Sequence, residues 1–381
     1  MKKTLAFLLC LVLLISAAGC AADVPQVTHP TETTEVPVTI EATQPVITEE
    51  VKAKLDYALE NNNFTGIVYL THNGKVVYQS VSGSNDLGEP LTIDSPMYIA
   101  SISKQFCAAA VLMLRDQGKL RLDDTLEKYF PEYTIGKDIT LKHLLSMRSG
   151  IVRDIDPMYE KPELYKENTP EENEAAVKEW LFSQPLVFEP DTEYMYSNSN
   201  YTLLSFVVEM VSGQSYEDFI RQNIFDPLDM THSNFCADAL MHPEWGLICY
   251  DYVQTDAASI LVQGVGDIIT TAADLDKWMT ALPRGQVICE ESYREMTTCY
   301  STDPTAPYGY GYGLAKGIRD GWGHGGYWID YTSQTFYSVE YGYNFYIVTG
   351  NTPQFLSDLT MRTTREFLNI LFQAVDEAEA N

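Results

Sequence analysis

The sequence predicts an α/β protein of the α+β type, in which one antiparallel sheet, flanked by helices, is built from both ends of a folded body and an all-helical region is inserted in its middle. Three observations lead there. A hairpin signal stands near the start of the body, helical patterns broken by Pro and Gly fill its centre, and alternating strand patterns return in the last third. With 45% hydrophobic and 20% charged residues in 381, the composition is that of a folded, water-soluble body.

The first segment, 1–19, reads as an export signal. Lys2 and Lys3 precede an apolar run from Leu5 to Ile15, and small residues lead to Cys20. That run is shorter than the roughly 20 apolar residues of a membrane span. The ending Ala17-Ala18-Gly19-Cys20 resembles a bacterial lipobox, whose cysteine is acylated and becomes the mature N-terminus. A plain cleavable signal is the alternative. Cys20 directly at the cut favours a lipid anchor and a place on the outer face of a bacterial cell membrane. From 20 to 48 the chain is rich in Thr, Pro, Val and Glu, without periodicity, and should serve as an extended tether.

The body spans 49–381, its sheet drawing on about 49–115 and 265–381 and its helical insert on about 116–264. Glu49 to Glu60 has helical spacing. Gly66–Leu70 and Lys75–Tyr78 flank Asn73-Gly74, a hairpin signature. A long helix is expected to begin near Ser101 and to end at Gln117, with Gly118 as its stop. The acidic stretch from Arg153 to Glu172 has few large aliphatic residues and reads as a surface excursion. Thr271 to Asp274 opens a capped helix through Leu275, Trp278 and Leu282. Gln334–Val339 and Asn344–Thr349 alternate as neighbouring antiparallel strands, and an amphipathic helix closes the chain over about Gln354–Ala378.

The net charge of −28, with no basic stripe, would repel DNA or RNA, which excludes nucleic acid as a partner. Beyond Cys10 and Cys20, the cysteines are Cys107, Cys236, Cys249, Cys289 and Cys299. An exported chain can form disulfides, and Cys236–Cys249 or Cys289–Cys299 would be local pairs, though sequence does not fix the pairing. Nothing in the His and Cys spacing suggests a metal. Cys107 reads as a small buried side chain.

Three short segments carry candidate chemistry. In Ser101-Ile102-Ser103-Lys104, positions i and i+3 of a helix bring a hydroxyl and an amine together. An amine whose pKa is lowered by burial can take the proton that makes serine nucleophilic. In Tyr196-Ser197-Asn198 a phenol can relay a proton and an amide can hold a substrate carbonyl or the lysine, while a plain turn is the bland reading. In Gly323-His324-Gly325-Gly326 glycines allow a substrate to lie close along a strand edge. His72-Asn73-Gly74 has similar spacing but sits in a hairpin turn, so this last pattern is not self-proving. Asp123, Asp124, Asp267 and Asp274 read as turn and capping positions, and His232 and His242 as surface or packing residues. Trp322, Tyr327 and Trp328 could contact substrate or pack in the sheet.

Together, and in this order, the three segments resemble those of the serine β-lactamase and penicillin-binding-protein superfamily, above all its class C-like β-lactamase-related hydrolases and DD-peptidases. YIASISKQFCAAA, GKLRLDDTLEKYFP, ITLKHLLSMRSG, YSNSNYTLL, IFDPLDM, TTAADL and YGYGYGL extend the resemblance over nearly everything from residue 50 onward. It implies a β-lactamase/transpeptidase-like fold and an acyl-enzyme on Ser101, with no cofactor. Lys104 and Tyr196 would manage the protons, either of them as principal base. Asn198 would orient substrate, His324 would hold the place of a lysine, and the N–H groups of Ser101 and of Tyr327, after Gly326, would form the oxyanion hole. Candidate substrates are D-alanyl peptide ends of peptidoglycan, β-lactams and small esters. The rival is a non-hydrolytic penicillin-binding-like sensor or envelope factor that keeps the cleft without turnover.

Some positions depart from the family pattern. His324 is charged only part of the time at neutral pH and should hold a carboxylate less firmly than lysine would. Met147-Arg148 replaces a usual His-Thr, and Asp191 and Asp229 stand where glycines are common.

Overall fold

A hairpin starts the sheet. The computed structural model describes residues 46–155, 158, 168–247, 259–303, 306–328, 331–350 and 357–380. The signal, Cys20, nearly all of the tether and Cys249 lie outside the described residues. Asn73 and Gly74 take φ of 51° and 75°, the left-handed pair of a type I′ hairpin turn. They join β1 (Gly66–His72) to β2 (Lys75–Ser82). Helix α1 (Glu49–Asn61) precedes them, capped by the Thr48 hydroxyl, and buries Val51, Leu55, Ala58 and Leu59 on one stripe.

Of the C-terminal strands, β11 (Tyr331–Ser338) and β12 (Tyr343–Thr349) complete the centre of the sheet, β12 lying antiparallel to β1 with Ile67 opposite Val348. Among the described residues the order is β2-β1-β12-β11-β9-β8-β7-β6, where β6 is Ser301–Asp303, β7 Ala306–Tyr310, β8 Ala315–Lys316 and β9 Trp322–Gly323. Strand β10 (Gly325–Trp328) pairs with β11 off this path. Strand periodicity sends alternate residues to opposite faces. Val68, Leu70, Phe345 and Ile347 meet α1 and the last helix in one core, whereas Ile67 and Val348 join the larger core with the remaining helices. That last helix runs Ser357–Glu379; the first residues expected in it, 354–356, lie outside the described residues.

The helical region sits on the larger core's side. Helix α2 (Lys104–Asp116) is buried on nearly every face and is closed by its C-cap Gln117 and by Gly118 with φ 70°. It packs beside α4 (Asn198–Ser212), while α3 (Pro170–Ser183) opens with a capping box between Thr169 and Glu172. Of the stretch expected to be a surface excursion as far as Glu172, 156–157 and 159–167 lie outside the described residues, and 170–172 belong to α3. Ile155 and Met158 are buried in the larger core rather than on the surface, since apolar side chains gain by leaving water. The TTAADL segment forms α5 (Ala272–Ala281), whose N-cap Thr271 accepts from Asp274 N.

A small second sheet positions the chemistry. Here β3 (Met97–Tyr98) and β4 (Asn234–Phe235) flank β5 (Ile268–Thr270). The segment entering Ser101 is thereby laid against the segment leaving Asp267. Cys289 is a free thiol, so the Cys289–Cys299 pair does not form; its sulfur instead lies at the head of the helix Glu290–Met296, 3.5 Å from Ser292 N.

Candidate active site

Ser101 lies on a 3₁₀ turn, Ala100–Ser103, rather than on the first turn of the α-helix, which begins at Lys104. The tighter turn improves the alignment, because residues three apart eclipse in a 3₁₀ helix. The Lys104 Nζ is 3.1 Å from the Ser101 Oγ and 2.9 Å from the Val265 carbonyl. Ala100, just before the nucleophile, has φ 47°, a left-handed conformation that costs an L-residue roughly 1–2 kcal/mol. Neighbours hold the turn in place. Ile99 N donates to the Ile268 carbonyl at 3.2 Å, Ile268 N donates to the Ser103 hydroxyl at 3.1 Å, and the Ser333 hydroxyl donates to the Ile99 carbonyl at 3.0 Å. Gly326 closes over the same turn: a Cβ there would stand 2.2 Å from the Ile99 oxygen.

Lys104 is fully buried. Burial lowers its pKa to about 7, against smaller upward pulls from Asp154, Cys107 and Asp267. An amine with a substantial neutral fraction near pH 7, bonded to a serine oxygen, can accept that serine's proton. Asp267 does more than turn the chain, the role expected of it. Its carboxylate is buried near Lys104 and accepts Gly264 N at 2.9 Å, with the other oxygen unpartnered. Burial raises its pKa to about 7. The neighbouring Cys107 is buried, and burial pushes its thiol well up, so it stays protonated.

Tyr196 lies under the lysine, its ring centroid 5.1 Å from Nζ. The phenol oxygen is buried and without a hydrogen bond. Burial pushes its pKa far up while the Ser101 hydroxyl pulls weakly down, which leaves a protonated phenol facing the nucleophile. Asn198 gives its Nδ2 to Asp154, and its Oδ1 is buried and unpartnered. The residues that depart from the family pattern fit one another. Met147 (φ 61°) sets its sulfur 3.3 Å from Ser197 N, under the second motif. Arg148 bonds the Asp191 carboxylate at 2.6 Å, and Asp191 (φ 66°) returns its N–H to the Arg148 carbonyl at 2.8 Å. Asp229 (φ 54°) receives Lys277. Each Asp occupies a left-handed position that glycine fills without strain.

His324 reaches the same cleft, its ring 6.0 Å from that of Tyr196. Its Nδ1 is 2.6 Å from the Gly325 carbonyl, which can only accept, so Nδ1 carries the proton and Nε2 accepts from the Tyr310 hydroxyl at 3.1 Å. Burial, helped by the charge on Lys104, lowers its pKa to about 3. The ring is neutral and both nitrogens are committed. Tyr327 follows Gly326 on β10 and is 43% exposed, at the rim of the site. Ser101, Lys104, Tyr196, Asn198, His324 and Gly326 thus converge from three distant stretches. Asp154, Arg153 and Asp267 join them without having been singled out as site residues; an Arg-Asp pair just after Gly150 was the available signal.

A serine hydroxyl bonded to a buried lysine, between an antiparallel sheet and a helical region, is the arrangement of a serine-hydrolase site. The family model described as Beta-lactamase matches residues 51–363, and the chain belongs to that family. PbpX of Bacillus subtilis (strain 168) is 29% identical over 276 residues, which cover 69% of this chain and 66% of that protein. The chain thus spans just under two thirds of this relative. The octameric penicillin-binding protein homologue from Pyrococcus abyssi superposes with a TM-score of 0.68 at 24% identity, over 84% of this chain and 77% of that one. The D-amino acid amidase from Ochrobactrum anthropi SV3 gives 0.68 at 21% identity, over 87% and 99%. These two likenesses establish the β-lactamase/transpeptidase-like fold.

Proposed function

We propose that the protein is a lipid-anchored serine hydrolase on the outer face of a bacterial membrane, forming an acyl-enzyme on Ser101 with peptide-like amides, β-lactams or esters. The observation that carries this reading is the 3.1 Å contact between Ser101 Oγ and a Lys104 amine whose pKa burial has brought to about 7. Neutral Lys104 takes the Ser101 proton as Oγ attacks the scissile carbonyl. The N–H groups of Ser101 and Tyr327 receive the oxyanion, the more strongly for lying in a partly dehydrated cleft. Tyr196, protonated, passes a proton to the leaving group and is restored through Lys104. A water, deprotonated by the same pair, then attacks the ester and frees Ser101. Cys20 behind its apolar leader supports the anchor and the extracytoplasmic place.

A panel of a β-lactam, a D-alanyl-D-alanine peptide, a D-amino-acid amide and a nitrophenyl ester, run on wild type and Ser101→Ala, tests the proposal. Ser101-dependent turnover of any of them supports it. Stable labelling by a fluorescent penicillin without turnover points to the sensor. Absence of both labelling and turnover rejects the acyl-enzyme. Labelling of the mature N-terminus by a fatty-acid probe, lost in Cys20→Ala, tests the anchor.

A further inference from the structure

The cation that the third motif lacks stands beside Tyr196. We infer that Arg153, aligned by Asp154, is the anchor for a carboxylate of the substrate, and that the acyl donor is a peptide-like molecule carrying that carboxylate. This assignment rests on the hydrolase reading of the cleft.

Three basic side chains surround the Tyr196 ring. Lys104 is buried and committed to Ser101 and the Val265 carbonyl, and His324 is committed to Tyr310 and Gly325. Both are buried and already hydrogen-bonded, so neither turns a free donor toward an incoming anion. Arg153 has its guanidinium carbon 6.0 Å from the ring centroid and its side chain 66% exposed. Its Nε pairs with the Asp154 carboxylate at 3.1 Å, and its two terminal nitrogens make no hydrogen bond among the described residues. The planar fork those nitrogens form matches a carboxylate in two parallel hydrogen bonds.

An exposed arginine is ordinarily a solvated surface residue. This one is fixed where it stands. Its carbonyl accepts Asn198 N at 2.7 Å and Ser199 N at 3.2 Å, and the Ser197 hydroxyl donates to the Val152 carbonyl at 2.9 Å. Residues 152–154 are thereby sewn to the second motif. Asp154 completes the alignment from the side-chain end. One oxygen takes Arg153, the other takes Asn198 Nδ2. A carboxylate only accepts, so the Asn198 amide must turn its N–H outward to Asp154 and keep Oδ1, buried and unpartnered, for a donor such as a substrate amide N–H. The cleft then reads an N–H through Asn198 and a carboxylate through Arg153. On a chain of net charge −28, an anionic substrate is repelled at long range and needs such a local cation to be held.

Binding of N-acetyl-D-alanyl-D-alanine and of its C-terminal carboxamide, measured by calorimetry, tests the assignment without turnover. The proteins are Ser101→Ala, Ser101→Ala/Arg153→Gln and Ser101→Ala/Arg153→Lys. The expected result is at least tenfold tighter binding of the acid than of the carboxamide by Ser101→Ala. That ratio should collapse toward one in the Gln variant and be partly restored by Lys. Each ratio is taken within one protein, so a general loss of fold cancels. A ratio that survives in Arg153→Gln, a starting preference for the carboxamide, or no binding of either peptide overturns the proposal. The hydrolase reading fails separately, through absence of Ser101-dependent turnover by the wild type.

Discussion

Lys104 and His324 are both basic, both buried and both beside Tyr196, yet the two sides of the cleft treat them differently. On the turn side, burial lowers the Lys104 pKa to about 7 while Ser101 stays its partner, so it can gain and lose a proton near neutrality. On the strand side, His324 is held between Tyr310 and Gly325 with a pKa of about 3, so it stays neutral throughout the physiological range. Residue type alone would have assigned titration near pH 7 to the imidazole and permanent charge to the amine. Burial and hydrogen-bond partners reverse the two.

The sharpest way to break this comparison is to remove the amine. Lys104→Met should lower kcat/KM by about 10³-fold or more, since acylation then lacks its base. Folded stability should be retained, because an apolar chain of similar length replaces a buried amine. Steady-state kinetics with a nitrophenyl ester, beside a thermal melt, checks both halves.

Next in size is the turn itself. Gly326→Ala forces a Cβ against the Ile99 oxygen and must displace the strand or the Ser101 turn. A shift of that kind should cost about 10²-fold in kcat/KM. The same measurement on Gly74→Ala, far from the cleft, serves as the control.

The pH profile separates the two bases. Deprotonation of Lys104 should make kcat/KM for an uncharged ester rise to a plateau with an apparent pKa of about 7. His324→Gln should keep that limb and change the plateau by less than about tenfold, because the imidazole neither titrates there nor carries charge. A limb that vanishes in His324→Gln would reverse the assignment.

The smallest effect concerns Asp267. Its pKa is raised by burial to about 7 in the folded protein, against about 4 when unfolded. The folded state therefore binds the extra proton, and the stability this contributes is full below about pH 4 and is lost as pH climbs to about 7. Asp267→Asn should gain stability over wild type progressively as pH rises through that window, by an amount on the order of 4 kcal/mol, with no further gain above it. Urea titrations at several pH values would show whether the gap opens as stated.

Much of this was legible in the chain. Asn73-Gly74 announced the hairpin because Asn-Gly readily takes the left-handed pair of a type I′ turn. Gly118 announced the end of α2 for a related reason, and the apolar stripe of α1 its buried face. Ser101 and Lys104 were legible as a spacing that puts a hydroxyl and an amine on one helix face, whereas Tyr196, Asn198 and His324 were legible through the resemblance of the three motifs, taken together, to those of the β-lactamase and penicillin-binding-protein superfamily. The Cys289–Cys299 pair was not legible, since it depends on where a helix sets its first residue. Nor were Arg153 and Asp154, which are ordinary surface residues until the backbone of 152–154 is bonded to the second motif.

The sequence by itself determined the reactive groups, the elements that carry them and the acidic character of the whole, all of which are local or additive properties. Tertiary structure decided the 3₁₀ turn beneath Ser101, the pairing of Arg148 with Asp191, the loss of charge at His324 and the presence of Asp267 behind Lys104. Each of those depends on which groups are removed from water together. Burial acts on a group through everything packed around it, and no spacing along the chain records that.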